Sequence, residues 1–368
     1  MKIGIDISQI VHQGTGVARF TEGLVNSILK YDKDNSWTFL FYSLRQNFDS
    51  ELEKKIINKG YRLIKWKLPP TLVSFLWNNL HQFKILNLKF KINLDWFITS
   101  DWSEIPLTKV NKATIVHDLV FKRYPETVNQ KILNTQELRL NHVKKESKII
   151  FADSQVTKKD LINFYKIDPK KVVANYPGVE VNKPSRNEIE KTLTKYKINK
   201  PFILTVGKIE PRKNLKKLIE AFIKINNQNL DLVIVGPEGW NENIQYSVSR
   251  VQYLGLVPDQ ELYSLYSACE VFVFPSLWEG FGYPLIEAMN LNTPVICSKI
   301  PPFEEIAEKA ACYFDPLNIE EIAQIINKVL TDDQLKKKLV ESGKIRAINF
   351  SWQKYYQKLI NALYDYRS

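Results

Sequence analysis

The chain is short of cysteine and has no long apolar run. Its 368 residues include three cysteines, Cys269, Cys297 and Cys312. An odd number without paired spacing excludes a disulfide framework and a cysteine-rich zinc site, so buried, reduced thiols are expected. No stretch approaches the roughly 20 apolar residues that a helix needs to cross a bilayer. The opening residues Lys2-Ile3-Gly4-Ile5-Asp6-Ile7 read as a core strand. They offer neither the charged start nor the cleavage site of a signal peptide. A cytoplasmic protein is the expectation. Acidic charge is also in deficit, 40 Asp and Glu against 52 Lys and Arg, for a net +12. No helix-turn-helix, zinc-finger or RNA-binding module accompanies that charge, so nucleic acid is not the expected partner. A phosphate-bearing substrate or an anionic membrane surface remains.

What is present is an alternation of short β-branched runs with longer stretches of helical period, the pattern of a parallel α/β architecture. The first half predicts strands at 2–8, 37–43, 95–98, 113–116 and 148–152, with helices at 17–30, 72–84, 127–145 and 156–164. A break around Asn175-Tyr176-Pro177-Gly178 runs on through the polar segment Asn182 to Glu188. The alternation then restarts, with strands at 201–206, 232–235, 271–274 and 294–297 and helices at 214–226, 259–267 and 283–290. Two doubly wound domains follow, 1–180 and 181–350, each too large to share one core comfortably with the other. A final helix from Ser351 carries Trp352, Tyr355, Leu359 and Leu363 on one stripe. Ligands of such sheets lie at the carboxyl ends of strands, so a cleft faced by both domains is the expected site.

Three motifs fall where a strand ends. His12-Gln13-Gly14-Thr15-Gly16-Val17-Ala18-Arg19 follows the first strand. Its glycines let backbone N–H groups approach an oxyanion at a helix N-terminus, although the third glycine of a dinucleotide fingerprint is missing. A structural turn explains this loop as well as a ligand loop does. Gly207-Lys208-Ile209-Glu210-Pro211-Arg212-Lys213-Asn214 follows strand 201–206 and sets three cations before a helix, where they can neutralise a diphosphate without metal. Ser276 through Met289 places Glu279 in a glycine-rich turn, followed by Gly280, Phe281 and Gly282, and Glu287 inside the next helix. Free N–H groups there suit phosphate, and a carboxylate suits sugar hydroxyls. Asp32-Lys33-Asp34 sits beside Asn35 and Ser36 after a helix and reads as turn chemistry, not as a metal-binding carboxylate pair.

Over nearly its whole length the chain resembles the retaining glycosyltransferases of family 4, which have the GT-B fold. The resemblance rests on Gly14-Thr15-Gly16-Val17, His117-Asp118, Glu210-Pro211-Arg212-Lys213-Asn214, and Glu279 through Met289 with its two glutamates. His117-Asp118-Leu119 and Tyr124-Pro125-Glu126 further resemble the mannosyltransferase-like branch that builds bacterial surface polysaccharides. The resemblance implies two Rossmann-like domains facing across a cleft, with the terminal helix 351–368 crossing back to the first. It implies that the first domain binds the acceptor, through Gly14, Thr15 and Arg19, and the second the nucleotide sugar. His117 and Glu279 would contact the donor sugar, Arg212 and Lys213 the diphosphate, and Glu287 the ribose. Gly16, Lys208, Gly280, Phe281 and Gly282 complete the donor set. Lys208 keeps a charge but lacks the bidentate fork of the arginine that many members carry there.

The implied reaction is hexose transfer with retention, from a nucleotide sugar to a saccharide or lipid-linked acceptor, with no cofactor and no metal. GDP-mannose is the first expectation for the donor, with UDP-hexoses behind it. Segment 61–90 mixes Arg62, Lys65, Lys67, Lys84 and Lys89 with Trp66 and Trp77, either as a solvated basic face or as a peripheral membrane contact. A nucleotide-sugar epimerase or a non-catalytic sugar-binding relative of the same fold are the competing readings.

Overall fold

The computed structural model describes residues 1–12, 14–81, 93–107, 109–239 and 249–366. Chain contacts divide it into two compact units, Met1–Gly178 with Trp352–Ser368, and Val179–Ser351. Gln13 and the lysines Lys84 and Lys89 of the expected basic segment lie outside the described residues.

The first unit is built on seven parallel strands among the described residues. These are β1 (Lys2–Asp6), β2 (Ser36–Tyr42), β3 (Arg62–Trp66), β4 (Trp96–Ser100), β5 (Asn111–Val116), β6 (Ser147–Ala152) and β7 (Val172–Ala174). Their order is β3-β2-β1-β4-β5-β6-β7. Helices cover both faces of such a sheet, which explains why six of the seven residues of β2 are buried and why its sequence does not alternate. The order reverses between β1 and β4, where a doubly wound sheet opens a crevice at its carboxyl edge.

Helix Trp352–Asp365 belongs to this unit, against helix Gly16–Tyr31. Two glycines make the approach possible. A Cβ on Gly23 would meet the Trp352 indole at 2.1 Å, and one on Gly178 the Trp352 backbone N at 2.2 Å. Asp32 then pins the helix. It accepts from the N–H of Asp34 and Asn35 at 2.9 Å each, from Trp37 Nε1 at 2.7 Å and from Tyr356 Oη at 2.6 Å. That carboxylate is the turn-capping and anchoring group of this corner.

The second unit holds six parallel strands among the described residues: β8 (Phe202–Val206), β9 (Asp231–Val235), β10 (Val251–Tyr253), β11 (Val271–Phe274), β12 (Val295–Ser298) and β13 (Ala311–Phe314). Their order is β10-β9-β8-β11-β12-β13, so the reversal lies between β8 and β11. Two differences from the sequence reading have physical causes. The polar stretch read as linker through Glu188 already contains a helix, Arg186–Lys195, started by a reciprocal capping box between Ser185 and Glu188. The helix expected at 72–84 is a short α-turn Pro70–Ser74 continued as a π-turn Phe75–Asn79, with 82–92 outside the described residues.

Candidate active site

In the second unit, both loops singled out in the sequence leave strands at the reversal point. The loop after β8 runs through Gly207 to a 3-10 turn Pro211–Lys213 and then to Asn214, in the left-handed region at φ 55°. Asn214 Nδ2 donates to the carbonyls of Pro275 (3.2 Å) and Pro316 (2.7 Å), and the N–H of Leu277 donates to Arg212 O at 2.7 Å. These bonds clamp the loop to the one that follows β11. On its other side the loop rests backbone to backbone on residues 236–239. A Cβ on Gly236 would meet Gly207 O at 2.0 Å, and one on Gly239 would meet Ile209 O at 1.7 Å.

Three of the expected residues come into direct contact. Glu279 Oε1 lies 2.5 Å from Lys213 Nζ and 2.8 Å from Arg212 Nη1, while Arg212 Nε meets Glu210 Oε1 at 2.6 Å. Lys213 and Glu279 are buried. Burial alone would raise the Glu279 carboxyl, but Arg212 and then Lys213 outweigh it and hold it down at about 2. Burial likewise lowers the Lys213 ammonium below the usual lysine range in spite of Glu279. The cluster thus carries two acids and two bases, a balanced arrangement whose cations are turned to one carboxylate.

The Gly280–Gly282 turn leads into helix Tyr283–Asn290. Gly282 has φ 96°, which strains any residue with a side chain, and a Cβ there would also press on Phe303 at 3.0 Å. Among the described residues the N–H groups of Gly280, Phe281 and Gly282 enter no hydrogen bond, which leaves a row of donors at a helix start. Glu287 is not a surface residue. It is 2 % exposed, and Tyr266 Oη donates to its Oε2 at 3.1 Å. Lys208 is exposed and enters no ion pair among the described residues.

In the first unit, His117 follows β5 and is half-buried. Its partner is Asp153, after the adjacent β6, with Nδ1 to Oδ2 at 2.7 Å. The neighbouring Asp118 instead accepts from Val120 N at 3.0 Å and caps the turn. His117 Nε2 lies 3.2 Å from Ser100 Oγ at the end of β4. Burial opposes protonation of His117, but the Asp153 carboxylate prevails and raises it above its ordinary value. Gly14, at φ 77°, and Thr15 form the turn before helix Gly16–Tyr31. Thr15 Oγ1 accepts from Ala18 N at 3.3 Å and donates to His12 O at 2.7 Å. Gly16 is exposed at the first helical position, and Arg19 is half-buried in the first turn. Phe20 of that helix packs edge-on to His117, ring centres 4.6 Å apart.

Sequence reasoning missed Asp153, Glu210 as an ion partner, Asn214 as a clamp, and Tyr266. Asp153 had a signal, since it ends β6 as His117 ends β5. Tyr266 had none, because only the fold brings its helix to Glu287.

Residues 186–346 match the family model described as glycosyl transferases group 1. The O-antigen chain mannosyltransferase B of Escherichia coli is 28% identical over 263 residues, 68% of this chain and 69% of that protein. The serotype-specific mannosyltransferase WbdA of Escherichia coli is 32% identical over 219 residues, 55% of this chain but 27% of that longer protein. Among solved structures, a glycosyltransferase from Rickettsia africae superposes with a TM-score of 0.72 at 21% identity, covering 100% of this chain and 98% of that one. HepE of Anabaena in complex with UDP-glucose gives 0.71 at 17%, covering 99% and 100%. The fold is therefore GT-B, two Rossmann-like parallel-sheet units. The match of residues 186–346 to that family model and the similarity to mannosyltransferases together identify the chain as a glycosyltransferase.

Proposed function

We propose that the chain transfers a hexose with retention from a nucleotide sugar to a saccharide or lipid-linked acceptor in surface polysaccharide synthesis. Mannose from GDP-mannose is the first reading, in keeping with the mannosyltransferases it is similar to. The observation that carries the proposal is the Arg212–Lys213–Glu279 cluster at the carboxyl ends of β8 and β11.

The demanding step breaks the bond between the anomeric carbon and the diphosphate oxygen. Negative charge leaves with the phosphate while positive charge grows on the sugar. An arriving diphosphate takes Arg212 and Lys213 from Glu279, helped by the N–H groups of Gly280, Phe281 and Gly282, and no metal is called upon. The carboxylate so released meets the sugar hydroxyls near the reacting carbon. Glu287, oriented by Tyr266, takes the ribose. His117, held by Asp153, hydrogen-bonds the donor sugar, while Gly16 lies along the donor and Gly14, Thr15 and Arg19 meet the acceptor. The acceptor oxygen bonds to the anomeric carbon, and its proton passes to the departing diphosphate oxygen. Since the cluster reads the diphosphate and not the base, a UDP-hexose is the second reading.

No helix among the described residues is long and apolar enough to cross a membrane. The proposed location is cytoplasmic, with exposed Leu72, Phe75 and Leu80 resting on a membrane that bears the acceptor. Co-sedimentation with vesicles should fall when these three become serine; unchanged binding removes the membrane role.

The donor is tested by thermal stabilisation in EDTA with GDP, GDP-mannose, UDP and UDP-hexoses. Binding at a hundredfold over Kd stabilises by about 2.7 kcal/mol, a shift of roughly 5–10 °C for a unit of this size. GDP-mannose should shift the wild type and not Glu287→Ala, then yield product with an acceptor. A protein that no nucleotide shifts is a non-catalytic relative, and one that returns an isomerised donor is an epimerase.

A further inference from the structure

The first unit gathers a second set of chemically capable side chains, none of them assigned above. His81 follows the π-turn, and His142 and Glu146 lie one turn apart on helix Gln130–Glu146. One ligand atom from each comes within 4.8 Å of the others. We propose that His81, His142 and Glu146 bind a divalent transition-metal ion of the zinc type, with water completing the coordination.

The hydrogen bonds around the two imidazoles point to this. His81 Nδ1 lies 3.0 Å from Trp77 O, and His142 Nε2 lies 2.8 Å from Asn78 O. A carbonyl only accepts, so each ring donates its outer N–H to backbone. That fixes the tautomers and leaves the lone pairs on His81 Nε2 and His142 Nδ1. Those two nitrogens address one atom, Glu146 Oε1, at 2.5 and 3.8 Å. The other carboxylate oxygen is taken by Lys112 Nζ at 2.7 Å. Lys112 is buried and also meets buried Glu104 at 2.8 Å. Glu104 therefore balances Lys112, and the negative charge of Glu146 is left over for a cation.

The rings stack with centres 3.9 Å apart and 1° between planes. An ion in both ring planes needs one ring to tilt about χ2, which is a soft torsion. Two imidazoles and one carboxylate favour zinc, nickel or copper over magnesium or calcium, and three protein ligands leave a position for water. Ligation needs both imidazoles neutral, so binding weakens as pH falls. The absence of metal that the family resemblance implies concerns sugar transfer; this ion is a staple between helix Gln130–Glu146 and the chain at residue 81.

The full chain, freed of metal by chelation and desalted, is titrated with zinc chloride against a chromophoric chelator at pH 7.5 and pH 6. One equivalent should bind, more weakly at the lower pH, and raise the melting temperature. His142→Asn and Glu146→Gln should bind at least about tenfold more weakly, while His117→Asn, the internal control, keeps its affinity. Should Glu146→Gln misfold through Lys112, the half-exposed His81→Gln gives the same readout. Absence of stoichiometric zinc in the wild type, or undiminished affinity in the His81 and His142 variants, overturns the site.

Discussion

Glu279 has two incompatible duties if the donor arrives by the route proposed. In the ligand-free chain it neutralises Arg212 and Lys213, and in the complex it must let both go. The two partners should therefore respond differently to mutation. Lys213→Met removes a cation aimed at the leaving group, and loss of one such electrostatic contact costs about 10²–10³ in kcat. Glu279→Gln leaves Lys213 uncompensated and Arg212 with Glu210 alone, so the nucleotide diphosphate should bind more tightly than to the wild type while turnover falls by about 10²-fold or more. Equal loss of product affinity in both variants would show that Glu279 is no competitor of the diphosphate. The same pair sets an acid limit. The folded carboxyl near 2 lies below its ordinary 4.5, so this stabilisation is complete above about pH 4.5 and is lost as pH falls toward 2. Its upper bound is on the order of 3 kcal/mol. Glu279→Gln should therefore flatten the dependence of melting temperature on pH across that window. Most of this residue-level arrangement was legible, because Arg212, Lys213 and Glu279 end adjacent strands and the motif spacing announces them. Tyr266 was not, since a residue's neighbour across helices is set by topology and not by spacing, and Asp153 offered only its place at the end of β6.

At the scale of elements, apolar runs in β1, β2, β8, β9 and β11 announced themselves because a doubly covered parallel strand has no polar face to dilute it. The strands that escaped notice are short or half-exposed, as in the three-residue β7 and β10 and the charged β3, Arg62–Trp66. Helix Arg186–Lys195 was announced by Ser185 and Glu188, but its polar composition reads as linker when the cap is overlooked. Glycine at position 23 carries a message that propensity inverts. In a helix interior, Gly→Ala ordinarily stabilises by up to about 1 kcal/mol. Here the added methyl would enter the rigid Trp352 indole at 2.1 Å. Overpacking of this kind costs about 1–3 kcal/mol. Gly23→Ala should accordingly lower the melting temperature of the first unit by roughly 2–10 °C. A rise would mean that the terminal helix yields easily.

For the whole molecule, the path of the chain matters more than any single contact. The first unit is left at Gly178 and completed only when the chain returns at Trp352. The returning helix buries Trp352, Tyr355, Tyr356, Leu359, Ile360 and Leu363. At about 1.5–3 kcal/mol for each large side chain buried, their loss amounts to something on the order of 10 kcal/mol. That is comparable with the whole stability of a domain, about 5–15 kcal/mol. It also removes Trp352 and Tyr355 from Phe20, whose ring lies against His117. Truncation after Ser351 should thus unfold the first unit and abolish transfer, while the second unit, whose residues 179–351 are all retained, keeps its core. Hydrogen exchange separates the outcomes: protection should vanish from β1, β2 and β4 and persist in β8, β9 and β11. Uniform loss in both units would mean that the chain unfolds as one cooperative body, and that the second sheet does not stand on its own core.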